Sequence, residues 1–309
     1  MSVISINKES LSDIIGNSDK LVKETATSRE TTVPKVTAET AQVTRAKKAG
    51  SISIKAYQFF KWAIPPVFGI LLLVAIWSLI SYQSPNLPGP IKTWNSAITL
   101  FSDPFYDNGP NDKGVGWNIL ASLQRVGLGF GMAALVGIPL GFIIGRFEFA
   151  AKMCAPVISL LRPVSPLAWL PIGLLVFKAA NPAAIWVIFI SAVWPMIINT
   201  SVGVSKVPQD YMNVAKVLNL SEWKIVTKIL FPFVLPYMMT GVRLSIGVAW
   251  LVIVAAEMLT GGVGIGFWVW DEWNNLNVEH IIIAIFIVGI VGLLLEWALT
   301  QIAKKFSYE

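Results

Sequence analysis

One cysteine, Cys154, and one histidine, His280, are all that a chain of 309 residues offers of either type. A lone thiol excludes an internal disulfide, and one thiol with one imidazole cannot build a zinc site, so redox and zinc chemistry are not the theme. Charge is scarce as well, at 14% of residues against 55% hydrophobic, with a mean hydropathy of +0.65. A soluble domain of this length cannot hide so much apolar surface, which makes the chain an integral membrane protein. No stretch fits the Gly-x-x-x-x-Gly-Lys-Ser/Thr phosphate loop; the Gly-rich run Gly261-Gly262-Val263-Gly264-Ile265-Gly266 lacks the lysine and reads as a tight turn or a close backbone approach. Any energy source must therefore be another chain. The net charge of +6 does not indicate nucleic acid, because Lys and Arg gather at the ends of apolar runs, where they orient a protein in a bilayer.

What is present follows in order. Residues 1–50 contain no aromatic residue and no sustained periodicity, and are expected to be a flexible cytoplasmic tail without a signal-peptide core. Residues 51–62 mix Tyr57, Phe59, Phe60 and Trp62 with Lys55 and Lys61, the makeup of an interfacial helix. The transmembrane domain then occupies 63–309, with apolar spans expected at about 63–82, 118–145, 153–177, 182–204, 233–259 and 281–303, each long enough for a hydrocarbon layer of about 30 Å. Residues 84–117 are too polar to cross and should form an external loop with a short amphipathic helix at about 90–101. The third span holds Pro156, Pro163, Pro166 and Pro171 and must be kinked. Gly127, Gly131, Gly137, Gly141 and Gly145 recur along the second span and read as a close-packing face. Most tryptophans, including Trp268, are expected in interfacial belts. Six spans leave both termini on one side. That side carries eighteen Lys and Arg against Lys92, Lys113 and Lys178 opposite, so it is expected to be cytoplasmic.

The polar interlude from Pro208 to Pro236 should form two short helices. Tyr211, Val214, Ala215 and Leu218 recur at helical spacing, Asn219 tolerates a left-handed helix end, Ser221 can cap the second helix, and Trp223, Val226 and Leu230 line its apolar side. A greasy face outside the bilayer calls for a protein partner. This loop resembles that of the membrane subunits of ATP-binding cassette importers, whose pattern is Glu-Ala-Ala, three residues, Gly, nine residues, Ile, one residue and Leu-Pro. Here it falls on Asn213, Val214, Ala215, Asn219, Ile229, Phe231 and Pro232, with asparagines where the family has its acidic residue and its glycine. Arg162-Pro163-Val164-Ser165-Pro166-Leu167-Ala168-Trp169-Leu170-Pro171, Leu235-Pro236-Tyr237, Arg243-Leu244, Trp250 and Ala255-Ala256-Glu257-Met258 resemble the nitrate, taurine and alkanesulfonate subgroup.

The resemblance implies an all-α, type I (MetI-like) importer permease with about six transmembrane helices in the inner membrane. It would be a non-catalytic translocation subunit that binds no cofactor itself, with ATP and Mg used by partner ATPases. A second permease chain, in a homodimer, and an external solute-binding protein are the other implied partners. The cargo would be nitrate or nitrite, with bicarbonate and then taurine or an alkanesulfonate as alternatives; a secondary transporter and a membrane scaffold are the rivals from other classes. ATPase coupling falls to the 206–228 loop through Tyr211, Asn213, Val214, Ala215, Leu218, Asn219 and Trp223. Five ionisable residues sit in apolar runs, Arg125, Arg162, Arg243, Glu257 and Glu296, each at a cost of about 2.5–3.5 kcal/mol at a helix centre, so each should face the interior, pair or snorkel, the two glutamates from near span ends. Arg162, Trp194, Arg243, Trp250 and Glu257 are the candidates for the translocation path, although the arginines would equally serve to bond carbonyls freed by prolines.

Overall fold

The computed structural model describes residues 61–305 except Trp62, Pro85 and Asn111. The expected tail and nearly all of the expected interfacial helix lie outside them. The chain divides into two compact units at Ile76 and Trp77. The helix that runs through this junction, α1 (Ala63–Gln83), keeps apolar side chains such as Phe68, Leu71 and Leu79 exposed, as a lipid-facing surface requires.

In the second unit the elements are α2 (Pro90–Leu100), α3 (Val115–Arg146), α4 (Glu148–Leu161), a 3₁₀ turn at Pro166–Trp169, α5 (Leu170–Phe177), α6 (Ala180–Ser205), α7 (Gln209–Val217), α8 (Glu222–Ile225), a π turn at Val226–Leu230, α9 (Phe231–Thr260), α10 (Ile265–Asn274) and α11 (Val278–Lys304). Among the described residues the only pairing of β type is an isolated bridge between Asp107 and Lys113. Among the described residues five helices are long and apolar enough to cross a membrane, and six crossings result if the bent pair of α4 and α5 counts as one.

The core is a sandwich of α3, α6 and α9, with Val126, Ala133, Ile188, Met196, Ile246 and Ile253 buried at its centre. Close approach of α3 to α6 explains the glycines. A Cβ on Gly141 would sit 2.5 Å from Thr200 Cβ, and one on Gly145 2.6 Å from the Ser201 carbonyl oxygen; Gly129 and Gly137 are similarly crowded by Ile188, Met196 and Val193. Gly127 and Gly131 meet nothing within 4 Å, so of the five glycines expected on the packing face only 137, 141 and 145 lie on it, joined by Gly129, which the sequence pattern had not included. The four positions are multiples of four apart, which keeps them on one side of the helix.

Three further expectations are sharpened or corrected. The third span is kinked as expected, but so sharply that it divides into two helices bent by 95° across Arg162–Ser165, where Pro163 and Pro166 remove backbone donors within four residues. The loop's second helix is not separate: α8, the π turn and α9 form one run, Glu222–Thr260, and Ser221 makes no side-chain cap bond. Trp268, expected in an interfacial belt, lies on the short helix α10 and is buried, so that residue packs inside and is no belt member.

Candidate functional site

Three places in the second unit gather the candidate residues. The first is the loop. Gln209–Val217 is helical, and Asn219 adopts φ +49° just beyond its end. The Asn219 N–H donates to the Lys216 carbonyl (3.0 Å) and the Leu220 N–H to the Ala215 carbonyl (3.0 Å), the double reverse bond of a Schellman end. Helical spacing then splits the apolar residues into two sets. Met212 and Ala215 point inward, with Ala215 fully buried beside Val207, Ile225, Leu230 and Val234, while Tyr211, Val214, Leu218 and, past the turn, Trp223 are exposed. Ala215 therefore belongs to the fold's own core and not to the outward face assigned to it from sequence, because its small side chain is what lets α7 lie against the start of α9. Asn213 sits on the exposed side. Arg146, at the end of α3, bonds Glu222 through Nη2 (3.0 Å) and Nε (3.3 Å), tying the loop to the body.

The second place is a buried polar network at the opposite end of α9. Glu257 is 1% exposed and pairs with Arg125 Nη1. Its carboxylate also accepts from Ser122 Oγ (2.7 Å) and from the Gly266 N–H (3.0 Å). Ser122 Oγ in turn accepts from the Ile265 N–H (2.9 Å), and Asn118 Oδ1 accepts from the Gly264 N–H (2.8 Å). Three side chains thus satisfy the free N–H groups that open α10. The Gly-rich run is explained by closeness: a Cβ on Gly264 would lie 2.4 Å from the Glu257 carboxyl carbon, and one on Gly266 2.0 Å from the Val254 carbonyl oxygen. Arg125 Nε donates to Asn181 Oδ1 (2.9 Å), which brings the head of α6 into the same network. Glu257 does not snorkel; it is a structural anion. Asn118 and Ser122 were not singled out from sequence, although their spacing of seven and three from Arg125 along one helix was the available signal.

The third place is a recess of about 180 Å³ at mid-span, lined by Arg162, Val164, Ser191, Trp194, Pro195 and Val248 among others. Arg162 caps the end of α4 at the 95° bend, is exposed, and among the described residues has no carboxylate within ion-pair distance. Arg162 and Trp194 are thus brought together. Arg243, Trp250 and Glu257 do not line this recess. Trp250 is buried between α9 and α11, with Nε1 donating to the Val288 carbonyl (2.9 Å), so it is a packing residue in this chain. Arg243 is half-buried, with Nε unpartnered among the described residues. Glu296 is exposed on α11. No cluster of three or more potential metal ligands occurs among the described residues.

Residues 137–308 match the family described as "Binding-protein-dependent transport system inner membrane component". The chain is 50% identical over 234 residues to the nitrate import permease protein NrtB of Synechocystis sp., covering 75% of this chain and 85% of that one. It is 45% identical over 272 residues to NrtB of Leptolyngbya laminosa, covering 87% and 98%. The bicarbonate transport system permease protein CmpB of Synechocystis sp. is 48% identical over 248 residues, covering 79% and 89%. Among solved structures, an inward-facing MetNI methionine ABC transporter chain aligns with a TM-score of 0.55 at 12% identity, covering 62% of this chain and 94% of that one. A chain of a bacterial alginate ABC transporter aligns with a TM-score of 0.54 at 13% identity, covering 86% and 98%. These two likenesses concern the fold.

Proposed function

Given that the chain belongs to the family of binding-protein-dependent transport system inner membrane components, we propose that it is the membrane-spanning subunit of an ATP-driven importer that carries nitrate inward. The observation that carries this reading is the likeness to nitrate permeases, which runs through most of the helical body and is not confined to one motif. Bicarbonate is the second reading, favoured by the 48% identity to a bicarbonate permease.

In this reading the α7 loop and both termini are cytoplasmic and the loop between α1 and α3 is external, an orientation that the excess of Lys and Arg on the first side supports. Separate ATPase subunits supply the energy, a second copy of this chain completes the path, and an external binding protein delivers the anion. Tyr211, Val214, Leu218 and Trp223 meet the ATPase. The geometry suits a mechanical coupling, since α7 is fixed to the foot of the Glu222–Thr260 run by the buried Met212 and Ala215. At about 1.5 Å per residue, those 39 residues form a rod of about 58 Å. Its far end bears Glu257, which holds the start of α10. Although a π turn at Val226–Leu230 and Pro236 interrupt its regular bonding, the run is one continuous helical element, so a displacement imposed near Trp223 is carried toward the opposite side of the bundle, as alternating access demands.

The test is uptake of labelled nitrate, bicarbonate and taurine into proteoliposomes holding the assembled complex, with ATP inside or outside and with binding protein added. ATP-dependent nitrate uptake is expected. Bicarbonate uptake in its place moves the assignment to the second reading, and uptake driven by an ion gradient without ATP refutes the importer reading.

A further inference from the structure

We propose that the mid-span recess beside Arg162 is a transit site for a small monovalent oxyanion, with Arg162 as the cation that selects it; this rests on the importer reading and deepens it. Ser191, Trp194 and Pro195 stand at the midpoint of α6, so the recess lies near the middle of the apolar layer. An arginine at that depth is expensive unless it pairs or lines a polar cavity, and Arg162 has no anionic partner among the described residues. By contrast, Arg125 has Glu257, and that pair is consumed in holding α10. Arg243 also lacks a carboxylate partner among the described residues, but it does not line the recess, so Arg162 is the cation that this recess offers a ligand.

The lining narrows the ligand's chemistry. Guanidinium presents a planar fork of donors that matches two oxygens of a planar anion, and the only polar side-chain atom of Trp194 is a donor. No Asp or Glu lines the recess, so a zwitterion such as taurine would find no partner for its ammonium group. A water needs about 10–15 Å³ of such space, so 180 Å³ admits a three-oxygen anion together with several waters. Pro195 has no N–H, which leaves the Ser191 carbonyl without its usual helical partner and available to one of those waters. Arg162 is not locked into an ion pair within the described residues, so its guanidinium is free to hold an anion and to release it, as conduction requires.

The test compares variants in the importer assembled from full chains with its ATPase and binding-protein partners, at matched amounts of complex in proteoliposomes. Arg162→Gln is expected to lower uptake of the transported anion at least tenfold, with Arg162→Lys keeping several-fold more than the Gln variant. Should Arg162→Gln fail to assemble, Val248→Asp and Val248→Asn decide the matter: a carboxylate on the recess wall should occupy Arg162 and cut uptake several-fold below that of the uncharged Asn variant. Equal uptake by wild type and Arg162→Gln, or by the Asp and Asn variants, overturns the site. Bicarbonate uptake without nitrate uptake, with the same ranking of variants, keeps the site and overturns the nitrate reading. Nitrate uptake that is indifferent to all four variants does the reverse.

Discussion

Replacing Glu257 by Gln isolates a charge from its shape. The amide oxygen can still accept from the Gly266 N–H, but Arg125, whose side chain is 11% exposed, is left with Asn181 as its one remaining side-chain partner. Removing one member of a buried pair typically costs about 3–5 kcal/mol, because the other charge is stranded. The same cost applies to Arg125→Met, which strands the carboxylate. The double variant Arg125→Met/Glu257→Gln strands neither charge and keeps the acceptor for Gly266, so the two losses should fall short of additivity by about 0.5–3 kcal/mol, the range for residues in contact. At about 2–4 °C per kcal/mol for a chain of this size, each single variant should lower the melting midpoint of the detergent-purified complex by roughly 6–20 °C, and the double by less than the sum. The assay is thermal unfolding followed by tryptophan fluorescence. Trp268 sits in α10, the element released when the network fails, so its signal should change first. Strictly additive losses, or single variants as stable as wild type, would refute the idea that the pair holds α10 in place.

Other outcomes follow from the loop and the helix contacts. Val214→Asp, on the exposed face, should reduce ATPase co-purification at normal stability, whereas Ala215→Asp should lose the folded chain by burying an unpaired charge; equal behaviour of the two in a thermal-stability assay would remove the distinction. Asn219→Gly should be tolerated and Asn219→Val should cost about 1–2 kcal/mol through its left-handed backbone, read as a lower melting midpoint. Gly141→Val should destabilise by about 1–3 kcal/mol or more against Thr200, while Gly127→Val should be nearly silent, as purified yield and melting would report. The hydrogen bond from Lys113 holds the Asp107 carboxyl below its ordinary range, so its contribution to that turn is fully present above about pH 4 and fades as pH falls through the lowered folded value. Amide exchange at Asn108 and Gly114 should then accelerate in acid, and Asp107→Asn should abolish that pH dependence.

The membrane class, the helix at 90–100 and most span positions were legible because they depend on composition and on runs of twenty or so apolar residues, which no tertiary contact can disguise. The left-handed end at Asn219 was legible too, from the chemistry of one residue. Ala215 was not. A helical wheel places it beside Val214 and Leu218, and only the packing of α7 on the foot of α9 shows which part of that broad face turns inward. Arg125 and Glu257 each stood out as costly charges, but their partnership spans 132 residues of sequence and the periodicity of either helix is silent on it. α10 was hidden by Asp271, Glu272, Asn274 and Asn275, whose polarity reads as loop when the buried side carries little more than Ile265 and Trp268. The prolines announced a kink in the third span, but its angle depends on what α6 offers to cover the opened backbone.

The break at Arg162–Ser165 also constrains how the chain is made. α4 has 14 residues, about 21 Å of helix, which is shorter than the hydrocarbon layer, and its continuation turns away by 95°. Backbone groups opened at the bend cannot be left facing lipid, where each costs several kcal/mol. The part of α6 that faces the bend across the recess, around Ser191 and Trp194, is synthesised some thirty residues later. The third crossing therefore cannot settle into the bilayer in simple order of synthesis; it has to wait, shielded by the insertion machinery, until α6 emerges to receive it.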